Sequence, residues 1–296
     1  MRSTTVGQAI VGFIVLGCSC AQADGQDLSF DSGFDPYTEA TAKSEGWSLQ
    51  ILPDGLIYPP YLAGQKEPRS SIQYYYEKDN GWSWFSTVGG QLGILRCGTK
   101  DPYFPTGVQL GIEGAAQFSG ANSDLFHLFS TDARFGVPLS IGWGNQETKL
   151  AVYFLHTHPN LGYFSDELSL KDKFFQRRAI VLGHAIHPTE TVRLYGEVGY
   201  ALASSMNGKW EFQLGAEFAP QLPTRIWGAP FAAANLHLLE TDNFGGTLAL
   251  QAGWSWRSDD ARLLRLGVFY LNGRGNNYAN LDLSEQQIGF GVWHDY

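Results

Sequence analysis

From residue 70 onward the chain alternates apolar and polar positions with a period of two, the pattern of strands with two unlike faces. In residues 191–204, Val192, Leu194, Val198, Tyr200 and Leu202 oppose Arg193, Tyr195, Glu197 and Gly199. In 209–219, Trp210, Phe212, Leu214, Ala216 and Phe218 oppose Glu211, Gln213, Gly215 and Glu217. The same alternation sets Leu248, Leu250, Ala252, Trp254 and Trp256 against Gln251, Gly253 and Ser255, and Leu264, Leu266, Val268 and Tyr270 against Arg265 and Gly267. Near the start, Val108, Leu110, Ile112, Ala116 and Phe118 oppose Gln109, Glu113 and Gln117.

Counting such segments predicts twelve strands: 70–77, 83–96, 107–119, 129–143, 149–158, 177–187, 191–204, 209–219, 228–242, 244–257, 262–272 and 284–296. Most reach the roughly 9 to 11 residues that a tilted strand needs to cross a bilayer. Strands of soluble sandwiches are usually shorter, about five or six residues. The expected fold is therefore all-β, a transmembrane antiparallel up-and-down β-barrel of about twelve strands over residues 70–296.

In a sandwich the apolar faces would turn inward; in a membrane barrel they turn out and the polar faces line the lumen. The polar faces here are rich in Gly, Gln and Glu and poor in Lys, which suits a crowded interior better than a solvated surface. Glu113, Arg134, Arg193, Glu197, Glu211, Glu217 and Arg265 are then lumen-lining. Their charges allow either an aqueous pore with cation preference or a narrow, salt-bridged interior. An even strand number puts both chain ends on the periplasmic side and the long connections 159–176 and 273–283 outside.

The residues before the first strand do not alternate. Arg2, an apolar run from Val6 to Gly17 and Ala21-Gln22-Ala23 have the layout of a secretory signal peptide over 1–23. The alternative is lipidation at Cys18, after Val15-Leu16-Gly17. Cleavage after Ala23 removes Cys18 and Cys20 and leaves Cys97 as a lone packed thiol. Residues 24–69 read as a flexible Pro/Tyr-rich periplasmic leader, whose prolines, Pro59-Pro60 among them, exclude a central strand. That segment either covers the barrel mouth or enters the lumen.

Composition agrees with export and sheet structure. The chain holds 35 Gly and 14% aromatics with 44% hydrophobic residues, low in helix formers. A formal charge of −9 excludes the basic surface that nucleic acid requires. No later segment has about 18 uninterrupted apolar residues, so no membrane helix is expected.

Several phrases carry a resemblance: Leu52-Pro53-Asp54-Gly55, Tyr58-Pro59-Pro60-Tyr61-Leu62-Ala63-Gly64, Glu67-Pro68-Arg69, Val192-Arg193-Leu194-Tyr195-Gly196 and Ala229-Pro230-Phe231-Ala232-Ala233. Together they resemble a bacterial family of exported proteins known as domain of unknown function 1207, across most of the mature chain. The resemblance implies compartment and architecture and leaves activity open. The family pattern has a His-x-Ser-His-Leu-Gly-Asp-Glu stretch after the fifth strand. Here the region runs from His156-Thr157-His158 through Leu161-Gly162 to Ser165-Asp166-Glu167, so the elements are interrupted. The terminal strand, alternating through Ile288, Phe290, Val292, His294 and Tyr296, resembles the signal read by the barrel-assembly machinery of the bacterial outer membrane.

His156 and His158 lie two apart, hence on one face of a strand, just before Ser165 and Asp166. A catalytic reading makes a histidine the base, Ser165 the nucleophile and Asp166 the orienting acid. It is loosely similar to outer-membrane phospholipase A, a twelve-strand barrel with a His-x-Ser pair, though His158 occupies the serine's place. A metal reading adds Asp166 or Glu167 to the two imidazoles, without a third ligand at diagnostic spacing. The bland reading puts the histidines at a membrane interface.

The sequence thus predicts an outer-membrane barrel, either a narrow channel or a structural or binding protein of the envelope. A lipid-directed hydrolase and a soluble periplasmic β-protein are the competing readings. No cofactor and no metal are expected; the partners are outer-membrane lipid and the assembly machinery.

Overall fold

The computed structural model describes residues 46–78, 81–121, 128–159, 175–274 and 284–295. They form a single sheet of thirteen antiparallel strands. A short strand β1 (Ser48–Ile51) precedes β2 (Ser70–Glu77), β3 (Gly81–Gly98), β4 (Gly107–Ala121) and β5 (Leu128–Trp143). Then come β6 (Gln146–Pro159), β7 (Phe175–Thr189), β8 (Val192–Ser204) and β9 (Trp210–Phe218). The chain ends in β10 (Ala229–Leu239), β11 (Gly245–Arg257), β12 (Leu263–Arg274) and β13 (Ser284–Asp295).

Each strand from β2 to β13 pairs with its sequence neighbour, and β13 pairs back onto β2 through Gln287–His294 against Glu77–Ser70. Twelve strands therefore close into an antiparallel barrel. The ordered segments of the alternation and the strands coincide to within a few residues at each end. Among the described residues there is no α-helix, only single 3-10 turns at Arg225–Trp227 and Glu240–Asp242.

Closing a sheet requires strand tilt and a stagger of register. Stepping once around the wall from Gly98 on β3, partner by partner, returns to the same strand at Gly81. The stagger thus spans nearly all of β3, and β2 reaches only its first half, ending at Ser71 opposite Thr87. The far half of that edge would present unpaired backbone groups, a liability for any sheet. β1 covers its end, pairing Ser48–Ile51 with Gly98–Leu95. No alternation announces β1, which is four residues long.

Side-chain direction follows parity. Leu92, Phe135, Leu150, Leu182, Leu214, Leu266, Val268, Ile288 and Phe290 point outward, each at least half exposed or close to it. The inward face carries the charges and amides, buried against the contents of the barrel. This is the reverse of a sandwich. Outward aromatics collect toward both rims: Tyr76, Trp82, Tyr200 and Trp210 at one end, Trp143, Phe218 and Trp254 at the other.

The second group marks the end where β2 begins and β13 finishes, called here the terminal end; the opposite end is the loop end. Connections 190–191 and 258–262 turn at the terminal end; β6 and β12 finish at the loop end, and residues 160–174 and 275–283 lie outside the described residues.

One expectation needs correction. Residues 46–69 are not a flexible leader but take the second of the two expected placements: after β1 the chain enters the barrel, where Ile57, Tyr58, Tyr61, Leu62, Ala63, Glu67 and Arg69 are buried. The physical reason is volume. Eight strands leave an interior that wall side chains fill, whereas 16 or more leave a channel; twelve enclose space that the wall alone does not occupy. Cys97 is also disulfide-bonded and so is not the lone packed thiol expected from the sequence.

Candidate functional site

The site is the lumen together with the segment inside it, residues 52–69. A buried segment without regular structure must find partners for its backbone groups elsewhere. Here Pro53, Pro59, Pro60 and Pro68 have no N–H to satisfy, and the carbonyls are met by long polar side chains of the wall. Arg96 donates to Asp54 and Gly55 O at 3.0 and 2.8 Å. Gln91 donates to Tyr58 O at 3.2 Å, Arg193 to Pro59 O at 3.1 Å and Arg265 to Leu62 O at 3.2 Å. Farther along, Gln117 donates to Gln65 O at 2.7 Å and Arg134 to Lys66 O at 3.1 Å. Arg69 folds back onto the carbonyls of Tyr61 and Leu62.

Two tyrosines anchor the segment. Tyr61 stacks on the wall residue Tyr195, with centroids 3.8 Å apart and planes 8° from parallel. Its hydroxyl donates to Glu197 at 2.8 Å and meets the Tyr58 hydroxyl at 2.7 Å. Cations cover these rings: Lys149 Nζ is 4.9 Å from the Tyr58 centroid and 5.0 Å from that of Tyr61, and the Arg193 guanidinium is 4.9 Å from Tyr58. Burial pushes both phenols well above the ordinary tyrosine range.

Wall glycines make this fit. A Cβ at Gly183 would lie 2.7 Å from the Tyr58 hydroxyl and 3.0 Å from that of Tyr61; one at Gly215 would lie 2.2 Å from the Tyr195 ring. The inward Gly-rich faces are thus recesses for rings.

All seven charged residues expected in the lumen point inward, and the structure pairs them. Arg134 reaches Glu113 at 2.7 Å, and Arg193 reaches Glu147 at 2.7 Å and Glu217 at 3.3 Å. Lys149 joins Glu197 at 2.8 Å, Arg177 lies 3.4 Å from Glu211, and Arg265 joins Asp295 at 2.8 Å. The buried segment enters this network through Lys66 with Asp132 at 2.8 Å and Arg69 with Asp295 at 3.4 Å. Leu62 N donates to Glu217 at 2.6 Å.

Sequence reasoning missed Glu147, Lys149, Arg177, Asp132 and Arg96. In β6 both faces are apolar in the middle, with Ala151, Tyr153 and Leu155 inward and Leu150, Val152 and Phe154 outward, so the alternation that would have sorted Glu147 and Lys149 is blurred. Arg96 follows a bulge between Gly93 and Leu95, which shifts the register by one residue and turns the guanidinium inward.

His156 and His158 are not lumenal. They lie on the outward face of β6 near the loop end, half-buried and exposed, with Nε2 atoms 2.7 Å apart. Ser165 and Asp166 fall outside the described residues. Among the described residues no group of three His, Cys, Asp or Glu side chains is placed to hold a metal.

The interior keeps small cavities beside the plugging segment. One of about 70 Å³ opens at the terminal end against Gly55, Ile57, Pro59, Tyr103, Glu147 and His187. Another, of about 50 Å³, lies against Pro59, Pro60, Arg193, Glu217 and Arg257.

Among solved structures, the chain is similar to the KdgM porin, at 9% identity and a TM-score of 0.45 over 76% of this chain and 99% of that one. A KdgM porin in complex with disordered oligogalacturonate matches at 10% identity and a TM-score of 0.44, over 76% and 99%. A mutant of the Rh. blastica porin matches at 10% identity and a TM-score of 0.31, over 77% and 99%. No protein-family model and no curated protein matches the chain.

Proposed function

We propose that this chain is an outer-membrane barrel that works as a gated channel, closed in the state described here by residues 52–69. The observation that carries the reading is the plug. An extended, proline-rich segment fills the waist of the barrel, and its carbonyls are held by donors from β3, β4, β5, β8 and β12. Membrane placement is supported by the outward apolar belt with aromatics toward both rims. Lipid is then the solvent of the outer wall, and the terminal strand β13 is the segment offered to the assembly machinery.

The plug is bound through its backbone and a few side chains, and it enters from the terminal end through β1, which pairs over only four residues. Withdrawal toward that end would break the segment's carbonyl and ion-pair contacts while the pairing of β2 to β13 stays in place. Ion pairs among wall residues would remain to line the opened lumen.

Planar-bilayer recording tests this. The full chain is expected to insert and stay silent, while a variant lacking residues 46–69 conducts steadily. Tyr58→Ala/Tyr61→Ala, which keeps the segment but removes its anchors, is expected to flicker between the two levels. Steady conductance of the unaltered chain, or silence of both inserted variants, would overturn the gated channel.

A further inference from the structure

The outward wall is largely apolar and carries polar side chains at a few positions. Among the described residues, apart from the final residues of β11 and β12, Arg178 on β7 is the charged strand residue whose side chain points outward, and it is exposed. A charge on the lipid face of a barrel is unfavourable, most at the bilayer midplane and least near the interface. Such a residue is a candidate for function.

The described wall places no carboxylate beside the Arg178 side chain. Among the described residues of β5 to β8, no Asp or Glu points outward; Asp132, Glu147 and Glu197 all face the interior. Instead the guanidinium lies 5.9 Å from the centroid of outward Phe154, its register partner on β6. Two residues farther along the same face come His156 and then His158, the pair 2.7 Å apart, with His156 opposite the outward, exposed Gln176. One strand beyond, Tyr200 and Trp210 meet edge to face at 4.8 Å under the Lys209 ammonium, 5.6 Å from the Tyr200 centroid. Amphipathic rings with basic groups above them mark the level where acyl chains give way to headgroups.

The geometry points to a lipid-headgroup site here: Arg178, His156 and His158 seat the phosphate of an anionic lipid of the surrounding leaflet, with its acyl chains along the apolar wall below. Guanidinium forks suit phosphate oxygens. Free phosphate would have the same headgroup chemistry but nothing to place on the apolar strip through Phe154, Val152 and Leu150. The inference rests on the membrane placement proposed above and not on the gate.

The test reconstitutes the full chain with equal amounts of phosphatidylglycerol and phosphatidylcholine and reads retained lipid by native mass spectrometry after extraction. Phosphatidylglycerol is expected to be enriched. Arg178→Ala and the double variant His156→Gln/His158→Gln are expected to lower its retention by roughly five- to tenfold. His184→Gln, an outward histidine nearer the terminal end, is expected to leave it unchanged. Equal retention by all variants would overturn the site, as would displacement of the lipid by millimolar inorganic phosphate. If those proteins still insert and conduct or stay silent as above, only the headgroup site fails; failure to enter vesicles at all would remove the membrane placement with it.

Discussion

Glu67 lies inside the plug, buried, within the field of the Lys149 and Arg134 cations and of the Glu197 and Glu113 carboxylates. Burial raises its pKa above the ordinary glutamate range, and the two cations only partly oppose that. With the folded value raised, the stability this group contributes is complete below its unfolded pKa, about 4.3, and is lost as pH rises through the folded value. Glu67→Gln is therefore expected to raise the thermal midpoint at neutral pH, with the gain vanishing toward pH 4. A lower midpoint for the Gln variant at pH 7 would contradict this. Single residues were legible wherever parity was undisturbed: Arg193, Glu197, Glu211 and Glu217 share the face opposite Leu194, Val198, Phe212 and Leu214. Arg96 was not, because one inserted residue at the β3 bulge reverses the count. The outward direction of His156 and His158 follows from the same count, since they share parity with Leu150, Val152 and Phe154.

At the scale of elements, the strands were legible in detail, and the plug only as one of two placements for the proline-rich segment, over the mouth or inside the lumen. A strand announces itself through a repeat in its own sequence, whereas the plug's partners are scattered over strands from β3 to β12 and leave no local period. What the sequence did carry was the negative half of the answer, prolines that rule out a ladder, together with tyrosines too large and polar to leave idle. The matching half sits in the wall as glycine. Gly183→Val is expected to push Tyr58 and Tyr61 out of their recess while leaving β7 paired with β6 and β8. Limited proteolysis should then cut within residues 52–69 under conditions in which the unaltered chain resists, and Ala201→Val, an inward change away from the tyrosines, should not have this effect. Resistance in the Gly183 variant would mean that the rings are not what holds the segment.

For the whole molecule, every wall strand is held on both sides, so no strand can leave without opening the circuit. Unfolding is expected to be a single event with a high kinetic barrier. Its signature is faster gel migration of unheated than of boiled protein, with the shift lost near one temperature. Absence of any heat-dependent shift, with extraction needing no detergent, would argue for a water-soluble barrel. The stagger of register belongs to this scale too: it was invisible from any one strand, since it exists only after a complete turn around the wall, and β1 is the answer to it.

The wall's hold on the plug through carbonyl oxygens has an evolutionary consequence. Because Arg96, Gln91, Gln117 and Arg134 touch main-chain atoms, they do not distinguish one plug side chain from another. Plug positions whose side chains are not buried are therefore free to drift, as long as the chain stays extended and the tyrosines, Lys66 and Arg69 stay in register. The selective burden shifts to the barrel, where replacing a single arginine would strand a buried carbonyl. Two such proteins with dissimilar plugs could share one lock, written almost entirely in the wall.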